Sequence, residues 1–81
     1  MSRIEVVAPI AGNFSNHPDD ESTPYVGAGS TVHVGTVVGR VVDGIHSVEV
    51  EAEVAGVVRE LAVGDGDVVV IGQALVIIDT H

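Results

Sequence analysis

Ile4-Glu5-Val6-Val7-Ala8-Pro9-Ile10-Ala11-Gly12 and Val48-Glu49-Val50-Glu51-Ala52-Glu53-Val54-Ala55-Gly56 are two versions of one stretch, an offset of 44 apart, with the Glu, the Val, both Ala and the Gly identical. A second pair confirms the repeat. Val26-Gly27-Ala28-Gly29-Ser30-Thr31-Val32-His33-Val34-Gly35 runs parallel to Val63-Gly64-Asp65-Gly66-Asp67-Val68-Val69-Val70-Ile71-Gly72 at an offset of 37. The chain is therefore two copies of one unit. Because the offsets differ by seven residues, the first copy carries an insertion between Gly12 and Val26, within the polar stretch 13–25 that holds Pro18 and Pro24. A polar segment interrupting a repeated unit reads as a surface loop, and such loops often carry function.

The unit is a β unit. In Val48-Glu49-Val50-Glu51-Ala52-Glu53-Val54 strict alternation places the apolar residues on one face and three glutamates on the other, as in a half-buried strand. Residues 4–8, 37–42, 68–71 and 75–78 are short apolar runs bounded by Gly, Pro or Asp and are expected to be buried strands. The chain is rich in valine and poor in leucine, and β-branched side chains suit a pleated surface better than a helix. An all-β fold follows, a flattened barrel or sandwich whose two halves are related by an approximate two-fold axis, with almost no helix. Between the halves, Asp43-Gly44-Ile45-His46 joins two apolar runs. Asp-Gly is a strong signal for a tight hairpin, since Gly accepts the positive φ of a primed turn, so a hairpin tip is expected at residues 43–46.

At 81 residues the chain makes a single domain, residues 1–81. A domain this small buries only about 60% of the surface its unfolded chain exposes, which leaves a thin stability margin. No cysteine is present, so neither disulfides nor a thiolate zinc site can reinforce it. The formal charge is −9, with Arg3, Arg40 and Arg59 against twelve acidic residues. Nucleic acid and anionic membranes would be repelled and are excluded as partners. The same charge is compatible with a basic protein partner or with a plain solvated surface. Lack of Cys and the polar start Met1-Ser2-Arg3 lead to the expectation of a cytoplasmic protein.

These features resemble the biotinyl/lipoyl domain family, a barrel-sandwich hybrid. Ala8-Pro9-Ile10-Ala11-Gly12 is similar to its Ala-Pro-Met-x-Gly opening. Val32-His33-Val34-Gly35 is similar to the Val-x-x-Gly before the attachment strand, and Val63-Gly64-Asp65-Gly66-Asp67-Val68 with Gly72-Gln73-Ala74-Leu75 resembles the closing turn and strand. The insertion at 13–25, with Phe14 soon after a Gly and a mid-loop Pro, resembles the thumb loop of acetyl-CoA carboxylase carriers. The resemblance implies biotin attachment to the Lys of Glu-Ala-Met-Lys-Met at the hairpin tip. Ungapped alignment puts Val42, Asp43, Gly44, Ile45 and His46 on those five positions, and none matches. Ile45 replaces the lysine, and the whole chain contains none. The ligase needs an amine that can lose its proton and attack an acyl adenylate; arginine stays protonated and cannot substitute. No biotin or lipoyl cofactor is expected.

Two functions remain open. One is an interaction module that keeps barrel and thumb as a docking surface for a carboxylase subunit or another biosynthetic enzyme. The other is a small-molecule binder or acid–base enzyme of the cyclisation or dehydration type, with a pocket between loop and hairpin. For the second, His17, His46 and Asp43 are the candidate catalytic groups, with Asp19, Asp20 and Glu21 nearby in sequence. Ligand or partner contacts are expected from Phe14, His17, Tyr25, Asp43, Ile45 and His46. The placing of Ile45 separates the readings: covered by the loop it favours a lidded site, exposed it favours docking. A structural homo-oligomer is a further possibility. His33 and His81 read as ordinary imidazoles, and Gly64-Asp65-Gly66-Asp67 as a β-turn rather than a calcium loop, so no metal is expected.

Overall fold

The structure is a computed structural model that describes residues 2–80; His81 lies outside the described residues. Among the described residues there are eight strands: β1 (Arg3–Val7), β2 (Gly12–Ser15), β3 (Thr31–Val32), β4 (Val37–Asp43), β5 (His46–Glu51), β6 (Gly56–Leu61), β7 (Val68–Val69) and β8 (Ala74–Asp79). They form two four-stranded antiparallel sheets, ordered β1-β8-β6-β3 and β5-β4-β2-β7. Adding four to every strand number converts one order into the other, which is the signature of a two-fold repeat. No helix occurs among the described residues, and the Cα extents of 37 × 25 × 19 Å make the barrel flat.

The sequence offsets reappear in the register. Ile4 pairs with Ile78, and the residues 44 and 37 positions away, Val48 and Val41, pair with each other. A bulge at Val6/Val7 has its counterpart at Val37/Gly39. Turns obey the same rule: Gly64 N–H donates to Asp67 Oδ2 (2.7 Å) as Gly27 N–H donates to Ser30 Oγ (3.0 Å). Asp65 and Asp67 therefore belong to a turn. The core is built from matched pairs, among them Val6 with Val50, Ala8 with Ala52, Val32 with Val69 and Val41 with Ile78, all buried. Gly12 and Gly56 are equivalent too. A Cβ on either would strike a backbone carbonyl of the neighbouring strand, of Val42 and Asp79 respectively, so close strand approach requires glycine at both.

Two expected strands are shorter in the structure. The run 48–54 keeps its glutamates outside and Val50 and Ala52 inside, but β5 stops at Glu51, because Ala52 N–H turns away to donate to Thr36 O. The run 68–71 yields only Val68–Val69. Val70 and Ile71 enter a turn, with Val70 N–H donating to Gln73 Oε1 and Gly72 at φ 84°, and both are exposed. Here turn chemistry overrides the strand preference of two β-branched residues. The copies part company at Ser15. β6 continues to Leu61 after a bulge between Val58 and Glu60, whereas β2 ends at Ser15 and the inserted loop begins.

Candidate functional site

Arg40 organises the face under the inserted loop. It lies on β4 between Glu49 of β5 and Ser15 of β2, pointing out of the sheet rather than into the barrel, and yet it is 7% exposed. Residues 16–25 cover it. Its Nε donates to His17 O (3.1 Å), Nη1 to Ser47 Oγ (3.2 Å) and Nη2 to Asp19 Oδ1 (2.7 Å). A buried guanidinium is tolerable only when its donors are met in this way. Ser15 Oγ also donates to His17 O (2.9 Å), and Tyr25 N–H donates to Asn16 O (2.7 Å), tying the two ends of the loop together. Tyr25 is half-buried against the edge of the core. Burial raises its phenol pKa above the ordinary 10.0, Arg40 opposes the rise, and nearby carboxylates led by Glu49 add to it. Tyr25, Pro18, Asp19, Arg40, Ser47 and Glu49 line a shallow hollow.

The start of the loop is also fastened to the turn before β7. Asn16 N–H donates to Asp65 Oδ1 (3.0 Å), and His17 Nε2 lies 3.6 Å from Asp65 Oδ2 while its Nδ1–H donates to Pro18 O (2.9 Å). His17 thus faces Asp65. His46 and Asp43 are exposed and pair with each other where the β4–β5 hairpin turns. Asn16 follows the Ser15–Arg40 pair, while the tip lies beyond Asn13–Val42, at the opposite end of that ladder; three residues of strand from Arg40 to Asp43 span about 10 Å. Among the described residues His17 is engaged with Asp65 and Pro18, and no hydrogen bond or ion pair joins it to His46 or Asp43. Among the described residues no group of three or more His, Asp or Glu is placed to hold a metal ion.

Phe14 also departs from expectation as a surface contact. It sits on the inward face of β2, opposite Val41, and is 1% exposed, so it is a core residue and cannot meet a ligand or partner. The alternation along β2 sends Asn13 outward and Phe14 inward. Gly44 and Ile45 form the two-residue turn, Gly44 with φ 60° and Ile45 without a positive φ, the pattern of a type II′ hairpin with glycine first. Ile45 is 96% exposed, and the loop does not cover it. Sequence reasoning did not single out Arg40; an arginine inside an otherwise apolar strand was the available signal.

Residues 4–78 match the family described as biotin-requiring enzyme, and that span takes in both copies of the repeat. The chain belongs to the biotinyl/lipoyl domain family. This biotinyl/lipoyl domain is similar to the biotin carboxyl carrier protein of acetyl-CoA carboxylase of Porphyra purpurea, 32% identical over 76 residues, which cover 93% of the chain and 48% of the relative. The protein of the same name from Haemophilus influenzae is 31% identical over 75 residues, covering 91% and 48%. The domain thus spans about half the length of the curated relatives it matches. No helix among its described residues is long and apolar enough to cross a membrane.

Proposed function

We propose that this chain is a non-biotinylated, biotin carboxyl carrier-like interaction module that docks on a carboxylase subunit or another biosynthetic enzyme through its β4–β5 hairpin. The observation that carries the reading is Ile45. It stands where the resembled family has its biotin-bearing lysine, it has no amine to acylate, and it projects into solvent at the tip of a regular hairpin. Barrel, turns and loop are intact while the attachment chemistry is gone, so what remains usable at the tip is shape and apolar surface. Burying an isoleucine in a partner is worth about 1.5–3 kcal/mol. The carrier proteins named above belong by name to acetyl-CoA carboxylase, which is the reason to place a carboxylase subunit first among partners. The acid–base reading has less to rest on, since His17 is engaged with Asp65 and has no hydrogen bond or ion pair to His46 or Asp43.

The test is affinity capture from the cells that make the protein, comparing the native chain with Ile45→Asp. A charge at an exposed turn should cost the fold little, so the variant is expected to keep the barrel and lose the partner. Equal capture of the same partner by both forms would place docking elsewhere, and an unfolded variant would refute the solvent-exposed tip.

A further inference from the structure

We infer that the groove between β1 and β5 is a second docking surface, which accepts an extended, basic-and-apolar segment of a partner protein by strand addition. Both strands end their sheets: among the described residues β1 is hydrogen-bonded only to β8 and β5 only to β4. Each therefore turns unpaired backbone groups to the same cleft of about 470 Å³, which lies on the pseudo-two-fold axis, since Ile4, Glu5 and Val6 line it opposite their counterparts Val48, Glu49 and Val50. Of the seven large apolar residues exposed on the described surface, Ile4, Val7 and Val34 all line this one groove. An open strand edge beside exposed apolar side chains is a template for another strand.

Charge selects the strand. Glu5, Glu49, Glu51 and Glu53 line the groove, and none of the three arginines does. Carboxylates along an edge oppose pairing with an acidic strand, above all with a second copy of this chain at net charge −9. A segment alternating Lys or Arg with Val or Ile meets both demands, placing cations on the face of Glu5, Glu49 and Glu51 and apolar side chains on the face of Ile4 and Val48. The surface is separate from the hairpin tip, and binding here does not depend on the docking assigned to Ile45.

The test is an NMR titration of the isotope-labelled full chain with an acetylated, amidated hexapeptide of alternating lysine and valine. Saturable shifts confined to the amides of β1 and β5 are expected. Binding should weaken at least tenfold in the Glu5→Lys/Glu49→Lys double variant and in Val34→Asp, all at exposed positions, and remain unchanged in Ile45→Asp. A control peptide of alternating lysine and proline keeps the charge but lacks half the backbone donors, and is expected not to bind. The inference is overturned if the proline peptide binds equally well, if the shifts fall on β3, β7 or the tip, if no saturation is reached at millimolar peptide, or if the protein alone dimerises through β1 and β5.

Discussion

The ring of Phe14 occupies the space that a side chain at residue 39 would need: a Cβ on Gly39 would lie 2.5 Å from Phe14 Cε1 and 2.7 Å from Cζ. The two-fold counterparts of this pair are Val58 and Val76, both buried. One half of the barrel fills the position with a large and an absent side chain, the other with two of middle size. Facing positions that trade volume in this way should be coupled. Gly39→Val alone is expected to cost about 1–3 kcal/mol by overpacking, and Phe14→Val a similar amount through the space it leaves. In the Phe14→Val/Gly39→Val double variant, which copies the second half into the first, the loss should be smaller than the sum of the singles. Urea unfolding of the three variants measures this; simple additivity would show that the two sites do not share a cavity.

Arg40 is open to a similar argument, because its two-fold counterpart is Ile77, equally buried on the outer face of the other sheet. Arg40→Ile should leave the barrel folded while removing the bonds to His17 O, Ser47 and Asp19 that hold residues 16–25 down. Limited proteolysis is expected to cut the native chain slowly and the variant quickly within that loop. Asp19→Ala, which removes a largely exposed partner, should have a weaker effect in the same direction, about 1 kcal/mol or less.

Tyr25 is the only tyrosine, and no tryptophan is present, so the tyrosinate absorbance band reports on it alone. Its phenol is held above 10.0, first by burial. The folded chain thus retains this proton at pH values where the unfolded chain releases it. The contribution is fully present below about pH 10, the unfolded value, and is lost as pH rises through the folded value. An absorbance titration should give a midpoint above that of free tyrosine, and the alkaline loss of loop order should shrink in Tyr25→Phe.

Much of the fold was legible because a repeat carries its own alignment. Offsets of 44 and 37 are enough to pair Val48 with Val41 once Ile4 is paired with Ile78. The site was less legible, since its contacts join distant positions through side chains that carry no local mark. Nothing near Arg40 in sequence announces Asp19 as its partner, and nothing near His17 announces Asp65. Phe14 read as a loop residue because polar residues follow it; comparison with Val58, its counterpart in the repeat, was the signal that it belongs to the core. The turn at Val70 and Ile71 was hidden by their β-branched side chains, although Gly72 marked it.

The most direct measurement of the central claim, that this is a carrier barrel working without a swinging arm, is the intact mass of the chain after co-expression with a biotin ligase and, separately, a lipoyl ligase. With no lysine anywhere in the sequence, the expected result in both cases is the mass of the polypeptide alone. A species heavier by one biotinyl or lipoyl group would contradict the account.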